Sequence, residues 1–132
     1  MIALDTNILI RLLVNDDKAQ AALAEQFIRR HTAEDPVFVG REVILELIWL
    51  LMSRYRYPLE AVRQALDRLF MSANLAIEEE DAIKTALYLA ERTGADIADA
   101  IIATIALQRD CTQIVTFDKD AAKRIPGMEL LA

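Results

Sequence analysis

The chain opens Met1-Ile2-Ala3-Leu4-Asp5-Thr6-Asn7-Ile8-Leu9-Ile10. Ile2–Asp5 reads as a short buried strand that ends on a carboxylate. From Thr6 to Val14 the apolar residues take helical spacing, with Ile8, Leu9, Leu12 and Leu13 recurring along one side. The same alternation continues along the chain. Asp16-Asp17 starts a helix over Ala19–Arg30, whose Ala, Leu, Glu and Gln are good helix formers. After a break from His31 to Pro36, Val37–Val39 reads as a second strand ended by Gly40. Arg41–Arg54 reads as a long helix with a wide, mostly buried apolar face. Tyr55–Tyr57 is a connection, and Pro58 suits the first position of a helix over Leu59–Met71.

Leu75–Ile77 is a third candidate strand. Glu78–Arg92 is predicted helical, with acidic residues in its first turn where the helix dipole favours them, and Gly94 ends it. Asp96 can cap a helix over Ile97–Arg109. Ile114–Thr116 is a strand, Asp118–Arg124 a short helix, and Met128–Leu131 a last edge strand. Strands alternating with helices point to an α/β fold with a mostly parallel sheet covered on both faces. Sites in such folds form at the carboxyl ends of the strands. The whole chain, 1–132, reads as one domain.

Composition narrows the function. The 132 residues are enough for a real core, and 55% are hydrophobic. The longest apolar run, around Val43–Met52, is interrupted by Glu46 and is about half the ~20 residues a membrane span needs. No signal peptide is read at the N-terminus. Cys111 is alone, which suits a reducing cytoplasm. A net charge of −6 argues against broad electrostatic binding of nucleic acid, though not against a nuclease whose negative charge is concentrated in a metal site. Arg11, Lys18, Arg29, Arg30, Arg41, Arg54 and Arg56 are candidates for local contacts to phosphate.

Four carboxylates stand out: Asp5, Glu46, Asp99 and Asp118. Three of them adjoin strongly apolar segments, where an unpaired carboxylate costs several kcal/mol or is driven to its neutral form. If the strands ending at Asp5 and Thr116 are neighbours, Asp5 and Asp118 emerge at one sheet edge. Asp99 lies in the first turn of the preceding helix, and Glu46 lies mid-helix, so the four could converge. Two carboxylates ~5 Å apart repel by roughly 3 kcal/mol at an effective dielectric near 20. A divalent cation removes that cost, and oxygen ligands without His or Cys select Mg²⁺ or Mn²⁺. Such ions activate water and stabilise in-line phosphoryl displacement.

Each residue also has a plainer reading. Asp5 and Asp118 can be helix caps, and Asp99 a first-turn acid. Asp96 is a cap or a ligand, and Asp120 is a second candidate cap near Asp118. Glu46 can pair with an arginine, while Glu42, one turn earlier, is expected at the rim. Thr6, Asn7 and Thr116 each adjoin a proposed ligand and can hold a carboxylate or a water by hydrogen bonds. His31 and Cys111 have no partner motif. The apolar residues Leu9, Leu12, Leu13, Ile48, Leu51 and Met52 are core, with part of them available for a dimer or partner groove.

Met-Ile-Ala-Leu-Asp-Thr-Asn-Ile-Leu-Ile at residues 1–10 resembles the start of PIN-domain ribonucleases. So do Glu46 in Val-Ile-Leu-Glu-Leu-Ile-Trp-Leu-Leu, Asp99 in Asp-Ile-Ala-Asp-Ala-Ile-Ile-Ala, and Asp118 in Ile-Val-Thr-Phe-Asp-Lys. Their order and spacing look like the VapC toxins of bacterial type II toxin–antitoxin systems. Asp-Thr-Asn alone is not specific; the four motifs in order are. The resemblance covers essentially the whole chain, including Ile-Pro-Gly-Met-Glu-Leu-Leu near its end. It implies a three-layer α/β/α sandwich and Mg²⁺- or Mn²⁺-dependent endonucleolytic hydrolysis of RNA. Asp5, Glu46, Asp99 and Asp118 would form the acidic site, supported by Thr6, Asn7 and Thr116. It further implies a homodimer, inhibited by a cognate VapB-type antitoxin whose C-terminal segment fills the groove. Two rivals remain. A small-molecule phosphatase of haloacid-dehalogenase type wants a second Asp two residues after the first, where this chain has Asn7. A non-catalytic PIN-fold module binding RNA or protein would not need four intact carboxylates.

Overall fold

A computed structural model describes residues 1–131 of the chain. It contains two compact segments, Met1–Glu78 and Glu79 onward, each described on its own terms.

In the first segment, α1 (Thr6–Val14) and α2 (Lys18–Arg29) form a helical pair. Asp17 caps α2 by accepting from the Gln20 N–H at 3.0 Å, so the Asp16-Asp17 start signal resolves to its second residue. Between them Asn15 takes the left-handed conformation at φ 57°, one of the few non-glycine residue types that tolerates it. β1 (Val37–Val39) pairs in parallel with β2 (Leu75–Ile77), Val37 opposite Leu75 and Val39 opposite Ile77. The crossover between them is made by α3 (Arg41–Ser53) and α4 (Leu59–Phe70). Pro58 is the N-cap of α4 rather than its first residue.

The opening stretch departs from the expected strand. Only Ala3 pairs, through a parallel bridge to Phe38. The Phe38 N–H donates to the Ile2 carbonyl at 2.8 Å and the Leu4 N–H to the Phe38 carbonyl at 3.0 Å. Nor is the stretch buried: Leu4 is, but Ile2 is 52% exposed. The reason is length, since Asp5 begins capping α1 after too few residues to extend the ladder.

Helix α3 corrects a second expectation. Its buried residues are Ile44, Leu47, Ile48 and Leu51, a helical stripe at i, i+3, i+4 and i+7. At ~100° per residue, Glu46 stands about 150° from the centre of that stripe and is exposed. Trp49, on the same outer side, is 66% exposed. The apolar run therefore reflects an apolar outer face as well as a core face, not a mostly buried helix. The start of α3 has no side-chain cap of its own. Glu78, just past β2, supplies one: its Oε1 accepts from the Arg41 N–H at 3.0 Å.

In the second segment, α5 (Glu80–Thr93) packs along α6 (Ile97–Gln108). The helix starts two residues later than predicted, because Glu79 is left-handed at φ 58° and serves as the N-cap. Gly94 ends α5 in the left-handed conformation at φ 76°. Arg124 closes that end, donating from Nη1 to the Thr93 carbonyl at 2.9 Å, while its Nε pairs with Asp120 at 2.8 Å. A Cβ at position 94 would stand 2.8 Å from Arg124 Nη1, which the flexible arginine could yield, so it is the backbone conformation that favours glycine. β3 (Ile114–Thr116) pairs in parallel with β4 (Met128–Leu130), joined through α7 (Lys119–Arg124). Ala95, Ala103, Ala121, Ile125 and Met128 form one buried cluster there, with Leu89 and Ile114 packed against it. The α/β class with parallel strands expected from the sequence is what the structure has. Among the described residues no helix is long and apolar enough to cross a membrane.

The stripe on α3 makes a direct test. Leu47, fully buried, should cost about 2–5 kcal/mol when cut to Ala. Glu46→Ala, one residue away, should change stability by no more than about 0.5 kcal/mol. Urea unfolding of both variants checks this; a large loss for Glu46→Ala would restore a structural role for that carboxylate.

Candidate active site

Each of three predicted aspartates ends up at the start of a helix. Asp5 caps α1, its Oδ1 accepting from the Thr6 N–H at 2.7 Å. Asp96 caps α6, with one oxygen accepting from the Ala98 N–H at 2.9 Å and the Asp99 N–H at 3.2 Å. Asp118 caps α7, accepting from the Ala121 N–H at 3.0 Å. For Asp5 and Asp118, a cap uses one carboxylate oxygen and leaves the other for a ligand. The capping role of Asp96, one of the two readings of that residue, is therefore present in the structure.

The second segment brings Asp99 and Asp118 into one electrostatic environment. Asp99 sits in the first turn of α6 and is half-buried. Its carboxyl titrates above the ordinary aspartate range. Burial is the main cause, followed by the charges of Asp96, Asp118 and Asp120. The α6 dipole favours a first-turn anion, yet it does not outweigh desolvation combined with three carboxylates. Thr116 holds the approach to Asp118: its Oγ1 accepts from the Asp118 N–H at 3.0 Å. It thereby positions the backbone rather than the carboxylate.

In the first segment, Asp5, Thr6, Asn7 and Glu46 line one pocket of about 250 Å³, together with Arg11, Asp16, Leu50, Arg54 and Tyr55. Asp5 and Glu46 are exposed, as Asp118 is in its own segment, so the expectation of carboxylates stranded in apolar surroundings holds only for the half-buried Asp99. Arg11 is already engaged, with Nη1 at 2.9 Å from Asp16 and Nε donating to Gln20 at 2.6 Å. No ion pair between Glu46 and an arginine forms among the described residues. Thr6 is 3% exposed, and its Oγ1 has no hydrogen-bond partner among the described residues. A buried hydroxyl left unpaired costs about 1–3 kcal/mol, which a water or ligand oxygen beside Asp5 would relieve. Asn7 is exposed on the same wall.

Within neither segment, among the described residues, do three or more Asp, Glu, His or Cys side chains gather in an arrangement that could hold a metal ion. The donor set still fits a hard divalent cation. In each segment it is all oxygen: the second holds a carboxyl whose charged form is disfavoured, and the first holds, beside Asp5, an orphaned hydroxyl.

Other expectations resolve simply. Leu9, Ile48 and Leu51 are core, while Leu12, Leu13 and Met52 are half-buried. The most exposed apolar residues of the first segment's helices are Leu23 and Trp49, which no periodicity argument had singled out. His31 is tied down, with Nδ1 3.0 Å from the Phe27 carbonyl and its ring packed on Phe27. Tyr55 was read only as part of a connection, yet it lines the pocket. No local signal marks it, because it lies past the end of α3.

Comparison with known proteins places these residues in context. The family model described as the PIN domain matches residues 2–127. A VapC ribonuclease of Aquifex aeolicus (strain VF5) is 21% identical over 116 residues, covering 88% of this chain and 86% of that protein. Among solved structures, a toxin–antitoxin complex from Klebsiella pneumoniae aligns over 98% of this chain and 96% of that one, at 20% identity and a TM-score of 0.35.

Asp99 sets an expected pH dependence. Its folded form holds a proton that the unfolded chain releases at the ordinary aspartate pKa. The folded state therefore binds more protons between that value and the raised one, and stability falls as pH rises through this window. Chemical denaturation of metal-free protein from pH 3.5 to 7 should show that decline, and Asp99→Asn should flatten it. A decline of equal size in the variant would assign it to other groups.

Proposed function

We propose that this chain, which belongs to the PIN domain family, is a divalent-metal-dependent endoribonuclease of VapC type, the toxin of a toxin–antitoxin pair. The observation that carries the reading is the half-buried Asp99 carboxyl sharing its surroundings with Asp96, Asp118 and Asp120. Asp96 and Asp118 cap helices and Asp120 pairs with Arg124, while the raised Asp99 carboxyl has no cation partner among the described residues, which supports a metal reading of the group. The similarity to a VapC ribonuclease over most of both chains supports the substrate class. The family match runs through both compact segments, which supports reading residues 1–132 as one PIN domain.

On this reading Asp99 and Asp118 hold Mg²⁺ or Mn²⁺, and Asp5 and Glu46 complete the catalytic set. When bound, such an ion lowers the pKa of water and offsets charge on the leaving oxygen of a phosphodiester. The protein supplies orientation. Asp118 is fixed from two sides, through Thr116 at its N–H and Ala121 at its Oδ1. Asp5 is fixed by the Thr6 N–H, and the buried Thr6 hydroxyl is free to hold a water against it. Asp96 secures the turn that carries Asp99, a positioning task. The exposed Glu46 is suited to accept a proton from water entering the pocket.

The same reading assigns a VapB-type antitoxin as partner, a homodimeric toxin and a cytoplasmic location. The groove between α1 and α2, about 530 Å³ and lined by Ile8, Leu23, Ala24 and Phe27, is the apolar surface in the first segment that such an antitoxin segment would use.

The test is cleavage of a panel of cellular RNAs with Mg²⁺, with Mn²⁺ and with chelator. Discrete cuts that need metal are expected, reduced at least a hundredfold in Asp5→Asn and in Asp118→Asn while both variants keep their fold. Metal-independent cutting, or full activity in either variant, would overturn the assignment. Metal binding without cleavage of any RNA would favour a non-catalytic PIN module.

A further inference from the structure

We infer that Arg54 and Tyr55 form a substrate-positioning subsite for RNA at the far end of the pocket that holds Asp5 and Glu46. The inference rests on the ribonuclease reading and goes beyond the acidic residues that carry it. Glu46, Leu50 and Arg54 are spaced i, i+4, i+8 along α3 and its C-cap, and all three line that pocket. Eight residues at ~1.5 Å each put the backbone of Arg54 about 12 Å along the helix from Glu46. No ion pair joins the two, and Arg54 has no ion pair or side-chain hydrogen bond among the described residues. The other arginine of the pocket, Arg11, is committed to Asp16 and Gln20. Arg54 is thus the pocket's available cation, on a chain whose net charge is −6. A polyanion whose scissile phosphate lies by the carboxylates needs such a cation further along its strand.

The backbone there is preorganised. The Arg54 and Tyr55 N–H groups both donate to the Leu50 carbonyl, at 2.9 and 3.2 Å. Arg56 then turns left-handed at φ 61°, and the Tyr57 N–H returns to the Leu51 carbonyl at 2.9 Å. This turn presents the half-buried Tyr55 to the pocket beside the exposed Arg54. A guanidinium on a phosphate next to an aromatic ring on a base is the pairing by which proteins hold single-stranded nucleic acid. The plainer role of Arg54 is a cation at the C-terminus of α3, favoured by the dipole. That role predicts effects on stability and none on RNA.

The experiment measures binding of a fluorescein-labelled, mixed-sequence single-stranded RNA in Mg²⁺, over a range of NaCl, in the Asp118→Asn background. One lost phosphate contact in Arg54→Gln should reduce the slope of log K against log salt by about 0.7, with Arg54→Lys retaining it. Tyr55→Leu should weaken binding about tenfold, and Tyr55→Phe should restore it. In the cleaving enzyme the same substitutions should raise KM more than they lower kcat. Unchanged affinity and slope in both Arg54→Gln and Tyr55→Leu overturn the subsite, even where the parent chain cleaves RNA. Changed slopes in a chain that cleaves nothing keep the subsite and overturn the nuclease reading. An Arg54→Gln variant that loses thermal stability with no change in slope assigns Arg54 to the helix end.

Discussion

The half-buried Asp99 is the constraint on which the proposed chemistry of this chain depends. Its carboxyl is desolvated, and Asp96, Asp118 and Asp120 add like charge around it. Local structure offers partial relief: the N-terminal dipole of α6 favours an anion in its first turn, and Asp96 secures that turn through the Ala98 and Asp99 N–H groups. Neither is enough to hold the carboxyl in its ordinary range. Asp120 is compensated by Arg124, but Asp99 has no cation assigned to it. On the proposed reading a divalent ion offsets that charge, and perturbed carboxyls of this kind cluster at active sites although structural networks produce them too.

The supporting architecture serves the same end by repetition. Asp5, Asp96 and Asp118 are each fixed by backbone N–H groups at the beginning of a helix. Capping a helix start aims a short carboxylate side chain without a long one having to be ordered, which keeps the entropic cost of a precise site low, and at Asp118 the parallel strand β3 leads into the cap. The pocket beside Asp5 shows how a strongly acidic chain can receive an anion. Glu46 on α3 and the uncommitted Arg54 at its C-cap stand about two turns apart, and no ion pair joins them among the described residues.

Much of this was legible from sequence because the signals were local and strong. Helix starts at Asp17, Asp96 and Asp118 are capping chemistry, and the stop at Gly94 is the left-handed conformation that glycine accepts. The three-residue strands at 37–39, 75–77 and 114–116 were visible as β-branched or apolar runs between breaks. The errors came from weighing composition above period. Glu46 was set in its apolar surroundings although the spacing of Ile44, Leu47, Ile48 and Leu51 already turned it outward. Ile2–Asp5 was credited with a strand when Asp5 had begun a helix. Glu79 was placed inside α5, because nothing in a run of three glutamates marks which one turns left-handed. Tyr55 was invisible for a different reason: its place in the pocket depends on the tertiary packing of α1 against α3.

The most direct measurement is a Mn²⁺ titration followed by the paramagnetic signal of the free ion, at neutral pH, on the parent chain and on Asp99→Asn. The account requires a saturable site in the parent, abolished or weakened at least tenfold in the variant. Saturable binding of equal strength in both, or none in the parent, would contradict the claim that the Asp99 carboxyl is held at this cost in order to bind metal.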